Sequence, residues 1–282
     1  MGIRRRIRKN RRYQYKLIIL LSIPLLFGQA EYQIATIPNN AFSLSTHNGF
    51  TSTNKNSQYL ISYVQYPAQI NLLDVNYKKI NISILDYGLF QNQIDQTIHS
   101  QFYSYEGFIK YYFDRKKYNL FVLDISNGVI ISKIESYTSL VLLSNFNFST
   151  AIPTSHLNLG INFKNVGLVL KEYTQIKQKL PTISQFYFIK AINKNIHLGY
   201  QLDYLFHTKN YNHIALAQIN INDLLQMRFS HSTNSQKLFY NNKLINGLAM
   251  GISIKTQKNT YYDFSISNLG AGGFIYAITM QF

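Results

Sequence analysis

The sequence predicts an all-β chain closed into a single transmembrane antiparallel β-barrel of about 14 strands. Three observations predict it. Apolar and polar residues alternate with a period of two along segments of strand length, and nothing after the amino terminus approaches 18 consecutive apolar residues. The apolar residues favour strands, with 23 Tyr and 19 Phe against no Trp. The last eleven residues, GGFIYAITMQF, carry the alternation to a terminal phenylalanine.

Residues 1–30 form three zones. Arg4, Arg5, Arg6, Arg8, Lys9, Arg11, Arg12 and Lys16 come first, then the apolar run Leu17 to Phe27, then Gly28-Gln29-Ala30. A basic start, a short apolar core and small residues before the cut predict a secretory signal peptide cleaved after Ala30. The core is short for a membrane span and holds Pro24, which argues against an uncleaved anchor. The apolar run behind the arginines argues against a nucleic-acid arm. Setting those eight cations aside leaves 20 basic against 12 acidic residues, about +8 of the full +16. That is no nucleic-acid footprint by itself.

Further along, Leu157, Leu159, Ile161 and Phe163 face one way, and Asn158, Gly160, Asn162 and Lys164 the other. Leu198, Tyr200, Leu202, Tyr204 and Phe206 oppose Gly199, Gln201, Asp203 and Leu205. Leu248, Met250, Ile252 and Ile254 oppose Ala249, Gly251, Ser253 and Lys255, and Tyr262, Phe264 and Ile266 oppose Asp263 and Ser265. A soluble sandwich also alternates. Here, however, the segments run close to the roughly 9–11 residues of a tilted membrane strand, and their polar face is small or amide-like. Tyrosines gather near strand ends, as at Tyr111, Tyr112, Tyr261 and Tyr262, where an interfacial girdle belongs. Asn193-Lys194-Asn195, Lys209-Asn210 and Asn241-Asn242-Lys243 supply turns. Some 250 residues at about 17–20 per strand and turn give on the order of 14 strands. Because an open edge does not survive in lipid, the final strand is expected to close against the first, with Phe274, Tyr276, Ile278, Met280 and Phe282 outward.

Little points to catalysis. With no Cys, disulfides, zinc knuckles and thiol nucleophiles are out. The seven histidines (His47, His99, His156, His197, His207, His213, His231) show no metal-ligand spacing, so no metal and no cofactor are expected. Ser52-Thr53-Asn54-Lys55 fits Ser-x-x-Lys, but Lys255-Thr256-Gln257 lacks the glycine of the companion motif, so a loop is expected. Gly270-Ala271-Gly272-Gly273 precedes a strand and is a turn, not a phosphate loop. Ser155 and His156 are neighbours, and on a strand they would point to opposite faces. Arg115-Lys116-Lys117-Tyr118 has the chemistry to bind nucleic acid or the phosphates of lipopolysaccharide, though such clusters are more often solvated turns.

Four stretches in order resemble the PorV/PorQ-like outer-membrane proteins of the type IX secretion system. They are Leu85-Asp86-Tyr87-Gly88-Leu89-Phe90 with Asp95 after it, Leu159 to Gly167 with its Lys164-Asn165-Val166-Gly167, Leu180-Pro181, and Asp263 to Gly273. Residues 31–57 depart from the family, whose Asn-Pro-Ala is missing; Pro38-Asn39-Asn40-Ala41 stands there instead. The division is therefore a signal peptide over 1–30, a short segment or reduced plug over 31–58, and a barrel over 59–282.

The resemblance implies an architecture like that of fatty-acid-transporter-type barrels and a non-enzymatic role in the outer membrane. It implies anchoring of a surface partner of PorZ type in the cargo attachment complex beside PorU-like and PorV-like proteins. Contacts with outer-membrane lipid and lipopolysaccharide are expected, and none with nucleic acid. Gln91 to Ser104 and Leu170 to Ser184 are candidate gripping segments. A terminal aromatic such as Phe282 is what barrel assembly machinery typically reads, a likeness to barrels in general. The rival reading is a transporter of hydrophobic small molecules; it would need an apolar pocket on the inward phase of the strands. A membrane hydrolase would need a Ser and a His that meet in space.

Overall fold

A computed structural model describes residues 32–50, 59–94, 97–118, 120–174, 178–236, 246–257, 259–269 and 273–282. The expected signal peptide with its cut after Ala30, the Ser52–Lys55 tetrad, Asp95, the turn expected at Asn241–Lys243 and Gly270 to Gly272 lie outside these residues.

The period-two segments become β1 (Tyr59–Gln65), β2 (Asn71–Tyr77), β3 (Ile80–Ile94), β4 (Thr97–Tyr112), β5 (Lys116–Tyr118), β6 (Phe121–Ile134), β7 (Tyr137–Ile152) and β8 (Leu157–Lys171). They continue as β9 (Ile183–Ala191), β10 (Ile196–Leu205), β11 (Asn210–Asn220), β12 (Leu225–Ser232), β13 (Leu248–Lys255), β14 (Tyr261–Asn268) and β15 (Phe274–Gln281). Sequence neighbours pair antiparallel, β4 pairs directly with β6, and β1 pairs with β15 from Leu60↔Gln281 to Gln65↔Tyr276. Fourteen strands thus close a ring, and β5 is a short flap on β6. The ring satisfies the strand edges, as lipid requires. An even number of strands returns the chain to the rim where it began: the Phe282 amide donates to the Tyr59 carbonyl at 3.0 Å.

The inward and outward phases are as the sequence predicts. Met250, Ile252, Phe264, Tyr276 and Ile278 are exposed on the outside, whereas Ala249, Ser253, Asp263, Ala277 and Thr279 are buried inside. Aromatics ring both rims, with Tyr59 against Tyr77 at 5.2 Å near the termini and Tyr204 against Tyr211 at 5.1 Å at the far end. Among the described residues no helix is long and apolar enough to cross a membrane. A closed barrel with an apolar outside and an inside filled by serines, amides and a packed apolar cluster is a membrane-spanning barrel.

The ring is not level. Strands β3, β4, β6, β7 and β8 run 14–16 residues, whereas β9 to β15 run 8–11 and β1 and β2 run 7. Register shows where the excess goes. Pairing of β2 with β3 stops at Asn71↔Asp86, leaving 87–94 beyond, and pairing of β8 with β9 stops at Lys164↔Ile183, leaving 165–171 beyond. Both overhangs lie at the rim away from Tyr59. One side of the barrel therefore rises as a wall above that rim.

Ser155 and His156 do not sit on a strand. Pro153–Ser155 form a 3-10 turn between β7 and β8, and His156 follows with φ 50°. Proline at the turn's first position sets this geometry, so strand alternation is not what parts the pair.

Candidate functional site

The lumen holds the amino-terminal segment. Tyr32, Ile34, Ala41, Leu44 and Phe50 are buried inside the ring. A short helix, α1 (Ala41–Ser45), forms because Asn40 caps it. Asn40 Oδ1 accepts from the Ser43 amide at 2.8 Å, and Ser43 Oγ accepts from the Asn40 amide at 3.0 Å. An apolar cluster seats the segment, with Tyr32, Ile34 and Leu44 against Val64, Leu72, Leu85, Phe108, Val141 and Ile275.

Polar contacts tie the segment to strands around the ring. The Ile34 amide donates to Glu106 Oε2 on β4 at 2.9 Å, and Asn39 Nδ2 to Asp74 Oδ1 on β2 at 3.0 Å. The Ala41 amide donates to Thr279 Oγ1 on β15 at 2.8 Å. On the other side Lys164 Nζ of β8 donates to the Asn48 carbonyl at 2.9 Å, and the Phe50 amide donates to Gln201 Oε1 of β10 at 2.8 Å. These bonds form in a desolvated interior, where an unpaired group costs about 1–3 kcal/mol.

The strongest tie is Arg228 on β12, 2% exposed. Its Nε donates to Ser45 Oγ at 2.9 Å, Nη1 to Ser253 Oγ at 2.6 Å and Nη2 to Asp263 Oδ1 at 2.9 Å. The guanidinium also lies over the Phe42 ring, 4.9 Å from its centroid. Ser253 Oγ donates to the same Asp263 oxygen, and Gln281 Nε2 donates to the other at 3.1 Å. Gly251 makes the room: it pairs with Arg228, and a Cβ there would sit 2.6 Å from the Ser45 Cβ. Ser230 Oγ adds a bond to the Ser45 carbonyl at 2.6 Å, satisfying a helix end that otherwise lacks a partner.

Two titratable groups of the segment are shifted. His47 Nε2–H donates to the Gly247 carbonyl at 2.8 Å, and its pKa is lowered to about 4. Burial is the main cause; His231 adds to it and the Gly247 bond opposes it. Tyr32 is raised to about 12, chiefly by burial, so its hydroxyl stays protonated and donates to Gln178 Oε1 at 2.7 Å.

Between the segment and the wall of β8–β11 lies a cavity of about 230 Å³ at the far rim. Lys164, Gln185, Asp203 and Asn212 line it with Thr36 and Asn48. Tyr32, Pro181, Ile183 and Leu205 share the lining, so the cavity is mixed in character.

Of the residues singled out in the sequence, Phe282 lies half-exposed at the closing strand, and Lys116 to Tyr118 form β5, with Arg115 Nε on Asp124 Oδ1 at 2.8 Å. His213 meets the Tyr200 hydroxyl at 2.6 Å on the exposed outside. Among the described residues no group of His, Asp and Glu is placed to hold a metal. Sequence reasoning missed Arg228. The signal was there: a lone arginine on the inward phase of a strand otherwise lined by Gln226, Ser230 and Ser232.

No protein-family model matches the chain, and no curated protein matches it. Among solved structures it is similar to a mutant of the Rh. blastica porin, at 7% identity over 80% of this chain and 98% of that one, TM-score 0.40. It is similar also to the KdgM porin, at 8% identity over 79% and 98%, TM-score 0.36. The fold rests on the strand register described above.

Proposed function

We propose that the chain is a non-enzymatic outer-membrane scaffold. In this reading it is a PorQ-like barrel of the type IX secretion system that holds a PorZ-like surface partner in the cargo attachment complex, near PorU-like and PorV-like proteins. The observation that carries the scaffold reading is the lumen: a segment bonded to β2, β4, β8, β10, β12 and β15 fills it. A filled lumen gives rigidity rather than passage. The family assignment rests on the four sequence stretches alone.

Orientation supports a surface role. Barrels of this kind have short periplasmic turns and longer extracellular loops. The long connections here, 172–182 and 233–247, follow β8 and β12 at the rim away from the ring's termini, which is also the rim where the wall rises. That rim then faces outward. The transporter alternative fits less well, because the amino-terminal segment occupies the lumen and is bonded to the strands around it.

The test is an affinity pull-down of the epitope-tagged chain from detergent-solubilised outer membranes, read by mass spectrometry. Stoichiometric recovery of a large surface protein or a cargo-processing peptidase is expected. A barrel recovered alone and loaded with fatty acid contradicts the anchoring and favours transport.

A further inference from the structure

The outer face of the raised wall carries an ordered pattern that the scaffold role leaves unused. Cross-strand register sets it out in rows. The top row is Tyr105 on β4, Lys133 on β6 and Thr138 on β7, each directly beside the next. Lys171, at the end of β8, reaches into this row and donates from Nζ to Thr138 Oγ1 at 2.5 Å. Lys133 Nζ lies 6.0 Å from the Tyr105 ring centroid. Below come Ile131 beside Leu140, and below them Ile109, Val129, Leu142 and Leu168 side by side. Ile131, Leu142, Leu168 and Leu170 are 37–52% exposed.

Two cations thus crown an aliphatic face. Neither lysine has a carboxylate partner among the described residues; Glu135 stands in the turn just above. The aliphatic rows continue the lipid-facing band of the barrel without a break. Opposite, the ring ends near Tyr63, Tyr204, Tyr211 and Tyr276, residues of the interfacial girdle. The lysine row overtops the last paired row of β9, Lys164↔Ile183, and so lies at the level of headgroups. A cation pair above apolar rows complements a lipid whose phosphorylated headgroup tops its acyl chains.

We infer that this face is a binding site for an anionic, multiply acylated lipid of the outer leaflet, with Lys133, Lys171 and Thr138 holding its phosphate and Ile131, Leu140, Leu142 and Leu168 its chains. The inference rests on the barrel spanning a membrane with this rim outward and not on the anchoring of a protein partner. Phosphate oxygens accept from both ammonium groups and from the Thr138 hydroxyl, and Tyr105 flanks the sugar or glycerol beneath. Continuity with the lipid-facing band favours lipid over a protein occupant.

The full chain in neutral detergent, titrated with purified bis-phosphorylated lipid A and read by native mass spectrometry, tests this. One tightly held lipid A per barrel is expected. Lys133→Ala with Lys171→Ala is expected to weaken it about thirtyfold, from two surface cations each contributing on the order of a factor of five. Dephosphorylated lipid A binds the wild type as weakly, and the soluble phosphorylated disaccharide without chains does not compete. Lys116→Ala with Lys117→Ala, at the other rim, leaves binding unchanged. Heat-dependent gel mobility confirms that each variant is a folded barrel, and Leu142→Ser with Leu168→Ser weakens binding through the chains alone. Unchanged binding in the Lys133/Lys171 variant, equal loss in the Lys116/Lys117 variant, or full competition by the disaccharide overturns the site. So does capture of a protein on this face that lipid A fails to displace.

Discussion

Arg228 shows how much one residue decides. Its partners Ser45, Ser253 and Asp263 come from the plug and from two neighbouring strands, so one guanidinium joins three parts of the molecule. Arg228→Ala would leave Asp263 buried without its cation, a change of about 3–5 kcal/mol. Urea unfolding in detergent should show the loss, and Arg228→Met with Asp263→Leu should recover most of it, since no bare charge remains. His47 gives the plug a pH dependence. Its pKa is about 4 in the fold against 6.5 in the free side chain, so the fold disfavours the charged form. Plug docking is complete above pH 6.5, weakens as pH falls towards 4 by up to about 3 kcal/mol, and levels off below. Limited proteolysis of the amino-terminal segment should rise across that window, and His47→Gln should flatten the profile.

At the scale of elements, the strands were legible from local pattern, whereas a reduced plug over 31–58 was expected only from the family resemblance and its contacts were not legible. A period of two is set by backbone geometry, so Leu198 to Tyr204 or Met250 to Ile254 reveal their phase without tertiary knowledge. The extra length of β3, β4, β6, β7 and β8 was less visible, because the alternation continues evenly past the point where neighbouring strands stop. The plug is held by contacts distant in sequence, from Asn39 to Asp74, 35 residues apart, to Ala41 to Thr279, 238 apart, which no local pattern encodes. Even its helix is visible only as Asn40-Ala41-Phe42-Ser43, a cap that any loop could carry. Gly167 illustrates close packing at the β7–β8 irregularity. A Cβ there would lie 1.9 Å from the Leu142 carbonyl oxygen, a backbone atom no rotamer can move. Gly167→Ala should cost about 1–3 kcal/mol and slow barrel formation, measured by the heat-modifiable gel shift during refolding.

At the scale of the molecule, three features belong together: a closed ring of 14 strands, a plug bonded around its inside, and a wall raised on one side of the rim away from the termini. The ring needs the sequence only to alternate. The plug needs matched polar groups on the inward phase, which explains why Asp74, Glu106, Asp203 and Asp263 stand among serines and amides inside the ring. An open polar conduit and a rigid, filled scaffold make opposite demands on that lumen, and the hydrogen bonds favour the second. Conductance across a planar lipid bilayer tests this most directly. The full chain is predicted to give no sustained open-channel current, and a variant lacking residues 32–50 to give ohmic steps through the polar lumen. Steady porin-like steps from the full chain would contradict the account.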